Sequence, residues 1–153
     1  MKGRCDVSDL FHIGLTVSDL DRSITFYRDV AGMTAHGDAV DVDSDGFGRL
    51  TDNPGAKLRT ALLAAGPVLI QLVEYTEGGG DRLSLDHRHV GSPHLSFWVD
   101  DVATLRDELA RRGDVVITSD IEAVVPSIRS FYVSDPDGVP VEFIERATPM
   151  TRP

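Results

Sequence analysis

Four polar side chains sit at matched places in a chain that repeats itself. Val68 to Tyr75, V-L-I-Q-L-V-E-Y, overlays Val139 to Arg146, V-P-V-E-F-I-E-R, without a gap, setting Gln71 on Glu142 and Glu74 on Glu145. His12-Ile-Gly-Leu-Thr-Val-Ser-Asp aligns in the same way with His94-Leu-Ser-Phe-Trp-Val-Asp-Asp. Each half therefore opens on a histidine and closes on a strand with an amide or carboxylate inside it. Such a group in an apolar strand is expensive unless something satisfies it. A divalent cation would satisfy both Gln71 and Glu142; the alternative is an ion pair from Glu142 to Arg59 or Arg129. Two imidazoles and two oxygens suit Mn, Fe, Co, Ni or Zn, and the residues do not choose among them.

The elements that must position these groups follow from periodicity. Leu10 to Val17 alternates, with Phe11, Ile13, Leu15 and Val17 on one face and His12, Gly14 and Thr16 on the other. Ser18 or Asp19 then caps a helix with Leu20, Ile24, Tyr27 and Ala31 at helical spacing, ended by Gly32. Met33 to Val42 reads as a strand, Asp43 to Ala56 as a loop, and Leu58 to Ala65 with Val68 to Tyr75 as a hairpin through Gly66-Pro67. Thr76 to Pro93, with Gly78-Gly79-Gly80, is expected to be the linker and the most mobile part. The order then repeats. A strand from His94 to Val99 leads to a helix capped by Asp100 or Asp101, with Val102, Leu105 and Leu109 on one stripe and Gly113 after it. A strand at Asp114 to Thr118, a loop at Ser119 to Ile128, and a hairpin through Asp135-Pro136-Asp137-Gly138 complete the second half. The tail, Ala147 to Pro153, is expected to be loose.

With 153 residues the chain is one domain of 1–153, with module one at about 8–76, a linker at about 77–91 and module two at about 92–146. That length buries roughly 70% of the unfolded surface without a staple. A net charge of -10 repels phosphate backbones and anionic lipids, so neither nucleic acid nor a membrane surface is an expected partner. The first residues lack the apolar core of a signal peptide, and one cysteine, Cys5, fits a reducing cytoplasm. Asp41-Val-Asp-Ser-Asp-Gly imitates the start of a calcium loop, but Gly48 and Arg49 break the pattern, leaving a solvated acidic loop. His87-Arg-His89 falls in the linker and reads as exposed.

Two βαβββ modules, the paired His strands, the I-Q-L and V-E-F strands and F-Y-V-S-D-P-D-G-V-P-V-E-F together resemble the vicinal oxygen chelate superfamily of glyoxalases, bleomycin-resistance proteins and dioxygenases. The resemblance spans about Leu10 to Glu145. It implies an α+β fold whose modules form a curved, cup-like mixed sheet with helices outside, one divalent metal ion at the base, and a small-molecule substrate. It also implies a homodimer. The family's ligand positions fall here on His12, Gln71, His94 and Glu142, a pattern closest to methylmalonyl-CoA epimerase-like members. With Gln71 neutral, metal and Glu142 leave a site of formal charge +1, suited to stabilising an enolate, and Glu142 is the ligand able to double as the catalytic base. Arg49, Arg59, Trp98 and Tyr132 are candidate substrate contacts. The leading expectation is a metal-dependent epimerase, isomerase or glyoxalase-like lyase. A non-catalytic drug-binding protein comes second, and an iron-dependent extradiol-type dioxygenase third.

Overall fold

The computed structural model describes residues 9–146, and Cys5 and the tail fall outside them. The chain divides into two compact units, the first made of residues up to Ile24 plus Gly32–Gly79, the second of Thr25–Ala31 plus residues from Gly80 onward.

In unit one, β1 (Ile13–Thr16) runs parallel to β5 (Val68–Glu77), which forms a hairpin with β4 (Lys57–Ala65). Gly66, at φ 58, makes the turn. The expected single strand over Met33 to Val42 is broken at Gly37 (φ 90) into β2 (Thr34–Ala35) and β3 (Val40–Asp43), both antiparallel to β4. The sheet order is β1-β5-β4-β2, with β3 also on β4. Alternation buries Leu15, Ile70, Leu72, Ala61 and Leu63 on one face. The expected loop at Asp43 to Ala56 contains a short helix, α2 (Asp45–Leu50), whose N-cap Ser44 accepts the Phe47 N–H. That segment's Asp and Gly content concealed the helix, which its cap and the tight turn behind Gly48 hold in place: a Cβ there would lie 3.0 Å from the Asn53 carbonyl oxygen.

The helix α1 (Leu20–Asp29) starts in unit one and ends in unit two. Asp19 is the residue that caps it, accepting the Arg22 N–H at 2.9 Å. Its buried stripe is Leu20, Ser23, Phe26, Tyr27 and Val30; Ile24 and Ala31, expected inside, are only half-buried.

Unit two repeats the plan. Strand β6 (Leu95–Trp98) runs parallel to β10 (Pro140–Arg146), which pairs antiparallel with β9 (Ile128–Ser134). Two short strands, β7 (Val116–Ile117) and β8 (Glu122–Val125), share the far side of β9, so the expected loop at Ser119 to Ile128 contributes a strand. The helix α3 (Val102–Arg112) is capped by Asp101, which accepts the Ala103 and Thr104 N–H groups, and ends at Gly113 in the left-handed region. Phe131, Phe143, Val133 and Val141 form the core of this unit with Val102 and Leu109. Both units are open mixed sheets with few helices, an α+β arrangement as expected. Among the described residues no helix is long and apolar enough to cross a membrane.

Candidate functional site

The two halves place their polar pairs in the same register. In unit one Gly14 lies opposite Gln71, and His12, two residues earlier, shares that face of the sheet. In unit two Ser96 lies opposite Glu142, and His94 stands two residues before Ser96. Each histidine immediately precedes its strand. The pairs His12/Gln71 and His94/Glu142 are therefore equivalent by backbone pairing, not by alignment alone.

Three residues beyond each oxygen donor, a second carboxylate turns to the opposite face and ties the helix to the sheet. Glu74 Oε2 accepts the Leu20 N–H at 3.1 Å, and Glu145 Oε2 accepts the Val102 N–H at 2.9 Å. Leu20 and Val102 are the first residues of α1 and α3, so both acids stabilise a helix N-terminus as well as satisfying a free N–H. Each acid also meets an arginine on the neighbouring strand: Arg59 lies 3.6 Å from Glu74, and Arg129 lies 2.8 Å from Glu145. The Val102 N–H and then Arg129 hold the Glu145 carboxyl below the usual range. This clamp fixes the corner after each His strand to the strand bearing the other donor. Of the arginines raised as partners for Glu142, Arg129 is thus engaged by Glu145, and Arg59 additionally bonds Asp21 at 3.1 Å.

Around the oxygen donors the halves diverge. Glu142 Oε2 accepts the Ser96 hydroxyl at 2.8 Å, and Tyr132 lies directly opposite Glu142 on β9. Burial and then the Glu142 charge push the Tyr132 phenol upward. The corresponding neighbours of Gln71 are Gly14 and Leu62, which carry no side-chain donor. An anionic acceptor thus has hydrogen-bond support and a neutral amide does not. Among the described residues His12 Nδ1 is buried without a partner, an orphan that needs a ligand or a proton partner. Two imidazoles, an amide oxygen and a carboxylate fit a first-row divalent ion. Among the described residues no three His, Cys, Asp or Glu side chains gather in one group, and each unit by itself supplies one imidazole and one oxygen.

The other candidates scatter. Trp98 lies on the His94 face at the end of β6 and is half exposed. Arg49 is exposed in the last turn of α2, and Arg59 lies on the helix-bearing face with Glu74. In the acidic segment Asp41 and Asp43 lie on β3, 3.8 and 3.6 Å from Arg59 and Lys57.

One residue that the linker reading set aside reaches the unit-two face. The His87 ring meets the Tyr132 ring edge-on at 4.8 Å and lies 5.9 Å from the His94 ring. The segment is folded: Asp86 accepts the Arg88 N–H and guanidinium, and its carbonyl accepts the His89 N–H. The only trace of this in the sequence is Asp86 two residues ahead of Arg88, a common turn pairing that does not announce a site.

Residues 9–143 match the sequence profile of the Glyoxalase/Bleomycin resistance protein/Dioxygenase superfamily. The chain belongs to this superfamily. Within the superfamily it is 29% identical over 140 residues to a 2-epi-5-epi-valiolone epimerase from Actinomyces sp, covering 87% of this chain and 76% of that one. It is 31% identical over 140 residues to a lactoylglutathione lyase from Haemophilus influenzae, covering 89% and 91%. The crystal structure of a glyoxalase family protein from Bacillus cereus matches with a TM-score of 0.83 at 17% identity, over 97% of this chain and 100% of that one. Superfamily relatives named as an epimerase and as lyases support an enzyme of this superfamily.

Proposed function

We propose that the chain is a metal-dependent enzyme that enolises a small carbonyl substrate, as an epimerase, isomerase or glyoxalase-like lyase, with His12, Gln71, His94 and Glu142 as ligands of one divalent ion. The observation that carries this reading is the identical register of the two donor pairs, Gly14 opposite Gln71 and Ser96 opposite Glu142, with a histidine two residues upstream in each half. A bound divalent ion supplies Lewis acidity toward a carbonyl oxygen. Glu142 takes the proton from the adjacent carbon, the C–H electron pair moves toward the carbonyl oxygen, and the proton is returned to complete an isomerisation. Ser96 holds the Glu142 carboxylate while it does so. Gln71 has no basic lone pair for that proton, so it serves as a neutral donor and leaves the site its positive charge. A glutamine at this place is also the feature that favours methylmalonyl-CoA epimerase-like chemistry within the superfamily.

Elemental analysis of the native protein and a Glu142→Ala variant tests the reading, together with α-proton exchange into deuterated water over thioesters and hemithioacetals. About one first-row metal per chain, lost in the variant, with metal-dependent exchange of one substrate class, is the expected result. Protein that takes up no Mn, Co, Ni, Zn or ferrous iron on dialysis would overturn it.

A further inference from the structure

We infer that His87 is a substrate-contacting residue, donating a ring N–H to a substrate oxygen that is not itself a metal ligand, and so selects substrates with a hydroxyl or carboxylate beside their chelating oxygens. The inference rests on the metal-site reading above, and its argument is confined to unit two.

The segment from Asp86 to Ser92 is a closed turn. Asp86 Oδ1 accepts the Arg88 N–H at 2.9 Å and Asp86 Oδ2 the Arg88 guanidinium at 2.8 Å, while the Ser92 N–H donates to the His89 carbonyl at 3.0 Å. This turn directs His87 onto the sheet face that bears His94, Ser96, Tyr132 and Glu142, edge-on to the Tyr132 ring at 4.8 Å. Its neighbour in the turn, Arg88, is already held by Asp86. His87 is exposed, and neither of its ring nitrogens bonds a protein group among the described residues. An imidazole carries at least one N–H in either protonation state, so the role does not depend on how His87 titrates. In a chain of net charge -10, an oxygen-rich or anionic substrate depends on such a local donor.

The test uses full-length protein loaded with Co and two chelating probes. Oxalate binds a metal through two oxygens and leaves two others free to accept a hydrogen bond, whereas acetohydroxamate uses both of its oxygens and leaves a methyl group and an N–H donor, with no free oxygen to accept one. Calorimetry is expected to show His87→Ala weakening oxalate about tenfold, the weight of one ordinary hydrogen bond. Acetohydroxamate affinity and metal content are expected to stay within about twofold in that variant, and His87→Gln, which keeps an N–H donor, to recover most of the oxalate affinity. Equal oxalate affinity in wild type and His87→Ala, equal weakening of both probes, or metal-loaded wild type that binds neither would overturn the inference and leave the metal site standing. A wild type that takes up no metal would overturn both.

Discussion

Replacing Tyr27 by Phe removes one oxygen from the interior of unit two, and the effect of that change should depend on pH. Tyr27 is fully buried and its hydroxyl donates to Asp135 Oδ2 at 2.9 Å. Asp135 is itself buried, and its other oxygen, Oδ1, accepts the Asp137 and Val139 N–H groups at 2.9 and 2.7 Å, closing the turn between β9 and β10. Burial raises the Asp135 carboxyl above its ordinary value of 3.8, and the Tyr27 hydrogen bond partly offsets that rise. A carboxyl raised in the folded state contributes stability that is fully present below about 3.8 and is lost as pH rises through its folded value. Without the hydroxyl the folded value rises further, so the variant loses more on ionisation than the wild type does. At pH 7 the loss is a hydrogen bond to a charged partner, about 2 kcal/mol, whereas with Asp135 protonated it falls toward that of a neutral bond, about 1 kcal/mol. Urea unfolding of both proteins at pH 7 and near pH 3, with the denaturant slope checked for constancy, measures the difference; titrations common to both proteins cancel in the comparison. A destabilisation equal at both pH values would refute the reasoning, and one below about 0.5 kcal/mol would show that Asp135 does not need the hydroxyl.

Two further outcomes follow from the same geometry. Ser96→Ala removes the 2.8 Å donor to Glu142, and competition with a chromophoric chelator should show metal affinity reduced about 10- to 100-fold; unchanged affinity would mean that Ser96 does not orient the ligand. The Arg88 guanidinium and N–H hold the Asp86 carboxyl down to about 2, so its support for the turn is present above about 3.8 and is lost as pH falls toward 2. Asp86→Asn should therefore weaken the proton NMR contacts between the His87 and Tyr132 rings at neutral pH, and contacts of undiminished strength would count against a turn held by that pair.

Much of the frame was legible because it rests on local rules. Alternation identified the His strands, Gly66-Pro67 and Asp135-Pro136-Asp137-Gly138 identified both hairpins, and Asp101 with Gly113 bounded α3. Glu74 and Glu145 were aligned with each other in the sequence, but their shared task was not legible, since a helix N–H some forty or more residues away leaves no local signature. The losses came where tertiary context overrides composition. The short helix α2 rests on one cap and on close packing at Gly48, and β8 forms only because β9 offers it a ladder. His87 was set aside because glycines and charges nearby resemble a linker, although hydrogen bonds inside Asp86 to Ser92 close that stretch into a turn.

The two halves keep the frame and differ in its lining, and that difference is where function is to be sought. Both retain a histidine ahead of the first strand, an oxygen donor across the parallel ladder, and the glutamate and arginine that tie helix to sheet. Around the oxygen donor, unit one has Gly14 and Leu62 where unit two has Ser96 and Tyr132. A Gly14 Cβ would meet nothing within 4 Å, so bulk is not what excludes a side chain there. The bare setting suits a neutral amide that needs little support, whereas the donor-rich setting suits a carboxylate that must hold one orientation while accepting a proton. On the function proposed above, proton transfer belongs with unit two, and the variants that discriminate between catalysis and simple metal retention are those at Ser96, Tyr132 and His87 rather than at Gly14 and Leu62.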